Sequence, residues 1–203
     1  MSMFYDEKPY GASYKEVVTL CNLKKGDVFV DLGANLGQEI QYFLNLGIVM
    51  DSYEPHPYFF SKIQEDFSER ENLTLNNAAV WDKNEKRKFF FKKHPSQWGD
   101  NHISGGASLI GEKSNLTNFW TEVSCIDIVD VLKKHQKVKI LKIDTEGAEY
   151  NILSRMIEQN LINVPEFIFF EDHERKINTS EYKSKKKFVQ KYANDNNIRF
   201  YNW

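Results

Sequence analysis

Val28-Phe29-Val30-Asp31-Leu32-Gly33-Ala34-Asn35-Leu36-Gly37 runs apolar, ends in an acid and then bends at two glycines. Residues 27–31 read as a short buried strand. Residues 36–46 read as the helix after it, with Leu36, Ile40, Phe43 and Leu44 at helical spacing. A strand, a glycine turn and a helix form the opening unit of an α/β sheet, and in such sheets ligands bind beyond the carboxyl ends of the strands.

The alternation continues outward from this unit. Strand-like segments at 48–54, 73–80, 138–144, 164–171 and 198–203 are interleaved with helical spacing at 57–68, 147–159 and 181–194. Repeated βα units predict an α/β fold with a mostly parallel central sheet and helices on both faces. The middle departs from this rhythm. Residues 86–92 and 120–126 have strand character and 127–134 suits a short helix. Between them, 94–118 is a Gly-, Ser- and Asn-rich loop long enough to be expected on the substrate side. No linker or repeat divides the chain, so 1–203 is expected to be one domain, with 1–25 as an N-terminal cap segment.

Composition narrows the function. At 41% hydrophobic and 14% aromatic residues, the 203-residue chain can bury a core. A net charge of −2 offers no global basic surface for nucleic acid. The dense basic run, Lys183, Lys185, Lys186, Lys187 and Lys191, reads as a solvated helix face. Nothing approaches the length of a membrane span, the first ten residues do not resemble a leader, and Cys21 and Cys125 show no paired spacing; a cytoplasmic setting is expected.

The ligand at the turn follows from spacing. A dinucleotide fingerprint counted from Gly33 needs glycine where Asn35 and Gln38 stand. Asp31 precedes the first glycine by two residues, where an ammonium group can be held. Glu54 closes the second strand, where a carboxylate can accept both hydroxyls of a ribose. An amino-acid-like nucleoside without a pyrophosphate meets these requirements, and S-adenosyl-L-methionine is such a ligand. A nicotinamide oxidoreductase is disfavoured; a fold that keeps the ligand without turnover is the remaining alternative.

Four segments give the chain a resemblance to the FkbM family of methyltransferases: Val30–Gly37, Tyr53-Glu54-Pro55-His56-Pro57, Asn77-Ala78-Ala79-Val80, and Leu141-Lys142-Ile143-Asp144-Thr145-Glu146-Gly147-Ala148-Glu149. Weaker echoes are 106–109, 123–127 and 171–173. The resemblance implies a Rossmann-like class I fold and methyl transfer from S-adenosyl-L-methionine, usually to a hydroxyl of a small molecule or sugar. It implies that Asp31, Gly33, Asn35 and Gly37 surround the methionine part, that Glu54 holds the ribose, that Asn77 and Ala78 lie near adenine, and that Asp144 stands beside the methyl group. Thr145 departs from the family's usual valine.

Transfer to a hydroxyl benefits from a general base. Asp144, Glu146, Glu171, Asp172, His173 and His102 are candidates, and His173 is preferred because imidazole titrates near neutrality. Asp144 and Glu146 complete the expected catalytic set. Asp144, Glu146 and Asp172 could seat magnesium, but their spacing does not demand a metal and none is expected. Trp98, His102 and Trp120 are candidate acceptor contacts, Trp81 a core residue, and Tyr10 and Tyr14 candidates for closing the pocket.

Overall fold

The computed structural model describes residues 5–6, 14–92 and 105–203. Seven strands form one sheet: Tyr5–Asp6 (β1), Val28–Leu32 (β2), Val49–Tyr53 (β3), Leu73–Asn76 (β4), Val138–Ile143 (β8), Pro165–Phe170 (β9) and Phe200–Asn202 (β10). Their order is β1-β10-β9-β8-β2-β3-β4 and every pairing is parallel. Ala79–Trp81 (β5), Glu85–Lys92 (β6) and Leu116–Asp127 (β7) form a second, three-stranded sheet in the order β5-β7-β6. The helices are Tyr14–Cys21 (α1), Ile40–Asn45 (α2), Pro57–Phe67 (α3), Ile128–Lys133 (α4), Glu149–Glu158 (α5) and Ser180–Asn196 (α6).

Parallel strands covered on both faces are apolar at nearly every position; β2 departs only at Asp31, and β8 at Lys139 and Lys142. Alternate side chains enter different cores: Val30, Leu32, Leu141 and Ile143 join one with α4, α5 and α6, while Phe29 and Ile140 join the other with α1, α2 and α3. Helices thus flank the sheet on both sides, as the alternation predicts.

The chain leaves β2 toward β3 and β4, then returns to build β8, β9 and β10 on the other side. The order therefore reverses between β2 and β8, and a crevice opens at their carboxyl ends. The two backbones touch there: the Asp144 N–H donates to Leu32 O at 2.9 Å. A Cβ built on Gly33, whose φ is +90°, would lie 1.9 Å from Asp144 O, so glycine is required by both conformation and space.

Several boundaries differ from the sequence reading. The helix expected over 36–46 is confined to Ile40–Asn45, because Asn35 and Gly37 both adopt positive φ and lengthen the turn. The strand expected over 73–80 divides at Asn77 and Ala78, its halves joining different sheets. Residues 116–118 of the expected loop belong to β7, which pairs antiparallel with β6. Residue 98 and residue 102 of that loop, and Tyr10 of the cap segment, lie outside the described residues. The basic run on α6 is not simply solvated: Lys186 pairs with Asp172 and Glu174 at 2.6 Å each, and Lys185 lies 3.4 Å from Asp82.

Candidate active site

Gly33 and Glu54 line one cleft of about 610 Å³, open mouth included, at the switch point. Asn35, Asp144, Thr145 and Glu146 share its wall, with Tyr53, His56, Phe59, Ala79, Val80 and Phe89 forming its apolar side and Gly105–Ala107 and Leu109 facing them. Three carboxylates and neither lysine nor arginine line it among the described residues.

Glu54 is held from behind. Its Oε1 accepts the His56 N–H and its Oε2 the Asn35 N–H, both at 2.7 Å, and the residue is 4% exposed. Burial pushes the carboxyl up to about 8 against the pull of those two donors. Asn35 reaches it because a left-handed backbone, tolerated by Asn, turns its N–H inward. Asn77 does not line the cleft; its side-chain amide donates to Glu54 O at 2.9 Å and steadies the strand end. Ala78 is buried outside the lining, and the small residues at the wall are its neighbours Ala79 and Val80.

Asp31 departs from its expected place. It sits opposite Lys142 in the β2–β8 register, both side chains on the α1–α3 side of the sheet. The Lys142 ammonium donates to Asp31 Oδ1 and Gly33 O and pairs with Glu39 Oε1, each at 2.9 Å. An internal lysine therefore takes the ammonium position that the sequence reading assigns to a ligand, and Asp31 acts beneath the turn. Gly37 also lies outside the cleft; its missing Cβ leaves room for Ile40, Ile63 and Phe67.

The turn after β8 carries the other carboxylates. Glu149, fully buried, accepts from the Gly147 N–H at 2.9 Å and from the Thr145 N–H and hydroxyl at 3.2 Å each, so it clamps the turn rather than simply meeting a helix dipole. His173 is 2% exposed, with Nδ1 3.1 Å from Glu149 Oε1 and Nε2 at ion-pair distance, 3.1 Å, from Glu146 Oε2. Burial disfavours its charge, but the two carboxylates outweigh burial and raise it to about 10. The structure thus places His173 as a clamp between Glu146 and Glu149, not on the cleft wall where the preference for it as the base would put it.

Glu146 and Asp144 are pushed in opposite directions. Burial opposes the ionised form of Glu146, yet His173 and Lys113 hold its carboxyl far below the usual range. Asp144 is pushed up to about 6, chiefly by burial, with Glu171 and Glu146 adding to the rise and Lys142 and His173 opposing it. A pair of carboxylates in one cleft with separated protonation is the pattern that assigns a fixed anion and a proton acceptor.

The remaining candidates are placed elsewhere. Asp172 accepts the Tyr150 hydroxyl at 2.9 Å and pairs with Lys186, which removes it from the magnesium set. Asp144, Glu146 and His173 do bring donor atoms within 4.8 Å of one another. Any cation there would meet the ammonium groups of Lys113 and Lys176 already gathered on Glu146 Oε2. Trp120 is exposed under the Lys88 ammonium, 4.3 Å from its ring, and outside the cleft; Trp81 is core as expected. Tyr14 packs on Tyr42 and Phe43 and lines no part of the cleft. Sequence reasoning missed Lys113 and Lys142; a lysine near the carboxyl end of a central strand was the readable signal for the second.

Residues 31–194 match the family described as Methyltransferase FkbM domain. The chain belongs to the FkbM methyltransferase family. The match runs from the first acid of the β2 turn to α6 and takes in both turns of the cleft. No curated protein and no solved structure matches this FkbM protein. Among the described residues, no helix is long and apolar enough to cross a membrane.

Proposed function

We propose that this FkbM protein is an S-adenosyl-L-methionine-dependent O-methyltransferase, one catalytic domain working in the cytoplasm on a hydroxyl of a small molecule or sugar. The observation that carries the reading is the lining of the cleft: the carboxyl groups of Glu54, Asp144 and Glu146 face it, and no lysine or arginine among the described residues does. Such a wall suits a ribose and a sulfonium and offers no ammonium or guanidinium to a pyrophosphate or a nucleic-acid backbone. Both oxygens of Glu54 keep a free lone pair after taking their backbone donors, as the two hydroxyls of a ribose require.

S-adenosyl-L-methionine brings the methyl group already activated on sulfur. The residues supply alignment and proton removal. Glu54 and the Gly33–Asn35 turn orient the nucleoside, and orientation alone contributes roughly 7–11 kcal/mol to such displacements. Glu146, held as an anion by His173 and Lys113, fixes the turn that carries Asp144. Asp144 accepts the proton from the attacking hydroxyl; its raised affinity for protons suits that task near neutrality.

A thermal-shift titration tests the reading. S-adenosylhomocysteine at about 100 times its Kd should stabilise the protein by roughly 2.7 kcal/mol, while NAD at the same concentration leaves the melting temperature unchanged. Stabilisation by NAD, or by neither ligand, contradicts it.

A further inference from the structure

Lys113 lies between the cleft and its outer loop with a side chain that is 0% exposed. Its ammonium donates to Gly106 O at 2.6 Å and to the carboxylate of Glu146. Gly106 and Glu146 both line the cleft and adjoin one another: a Cβ built on Gly106 would stand 3.1 Å from Glu146 Oε1. A buried ammonium is costly unless its partners are in place, so the fold keeps this lysine only while the two walls are joined.

The loop it fastens is tied at a second point. Ser108 exchanges both backbone hydrogen bonds with Phe90 of β6, at 2.8 and 2.9 Å, and its hydroxyl donates to Glu146 O at 2.7 Å. Glu146 itself has a φ of +55°, a conformation non-glycine residues adopt only where surroundings impose it. Just before the ties, Gly105 comes so close to the β2 turn that a Cβ would stand 2.9 Å from Asn35 Nδ2. The segment thus bridges the turn after β2 and the turn after β8, the two turns that hold the cleft together.

We propose that Lys113 is a positioning residue: by pairing with Glu146 it holds Gly105–Ala107 as the outer wall of the cofactor cleft. It touches no reacting atom and acts through Gly106 and Glu146. Because Lys176 and His173 also neutralise Glu146, removal of Lys113 releases the wall more than it disturbs the carboxylate. The inference rests on the cleft being the cofactor site.

The test compares wild type with Lys113→Met in two assays. Amide hydrogen exchange without ligand should quicken at Ser108 and Ile110, whose N–H groups are bonded to Phe90 O and Ser108 Oγ, while β2 and β8 keep their protection. Calorimetric titration with S-adenosylhomocysteine should show affinity lower by roughly tenfold, the scale of one charge-assisted bond. Unchanged exchange at the loop overturns the proposal. Faster exchange with unchanged affinity also overturns it, because the lysine is then only structural. If wild type binds no S-adenosylhomocysteine, the cofactor reading fails and the exchange result alone decides whether Lys113 holds the wall. Should Lys113→Met not fold, Lys113→Gln, which keeps a polar side chain but removes the charge paired with Glu146, is judged by the same two results.

Discussion

Glu54→Gln weakens S-adenosylhomocysteine binding about a hundredfold, measured by calorimetry at pH 8.5. The magnitude follows from two hydroxyl bonds to an ionised carboxylate, each worth roughly 1.5–3 kcal/mol, partly replaced by an amide that offers one acceptor oxygen. The substitution also turns the Gln NH2, a donor, toward one of two backbone N–H donors, since Asn35 and His56 both donate to the native carboxylate. Some loss of fold stability therefore accompanies the loss of affinity, and far-ultraviolet circular dichroism at the assay temperature separates the two.

The pH dependence carries a definite sign. Burial raises Glu54 from 4.5 to about 8 in the ligand-free protein, so its protonated form is favoured by folding. Its contribution to unliganded stability is present at low pH and lost as pH rises through that window. Affinity moves the opposite way: two hydroxyl donors need the ionised form, so binding tightens as pH climbs through about 8. In Glu54→Gln this rise disappears. A rise that persists in the variant assigns the titration to another group.

Asp144→Asn lowers the rate of methyl transfer by roughly 10²–10⁴-fold while leaving cofactor affinity close to that of the native protein. Asn keeps the size of the side chain and removes the proton acceptor. The native rate should rise with pH through about 6 and level above it, because Asp144 acts only when ionised and burial has raised it to that value. Single-turnover kinetics across pH 5–8 check both statements. An equal loss of rate and cofactor affinity places Asp144 in binding rather than chemistry. His173→Ala, in contrast, disrupts a clamp between Glu146 and Glu149, so its damage appears first in stability.

What the sequence disclosed and what it hid have separate physical causes. The β2 run, its glycine turn and Glu54 were legible because strand periodicity and turn chemistry are local, and the parallel sheet because repeated βα units imply one. Partnerships across the sheet were not. Asp31 looked free to hold a ligand because its partner Lys142 stands 111 positions away, opposite it only through the β2–β8 register. His173 looked like a base because nothing local announces that Glu146 and Glu149 enclose it. Asn77 and Ala78 were assigned to adenine, whereas the chain changes sheets at those two residues and brings Ala79 and Val80 to the wall instead. Lys113 was invisible because its value lies in burial, which a loop sequence does not encode.

The central claim is that the cleft between the β2 and β8 turns grips a nucleoside through Glu54 and offers its methyl-bearing end to Asp144. A crystal structure of the protein with S-adenosylhomocysteine measures this directly. The account predicts ribose hydroxyls on both Glu54 oxygens, the base against Ala79 and Val80, and the sulfur on the Asp144 side. A ligand seated in the groove between β6 and α6, or a ribose without contact to Glu54, would contradict it.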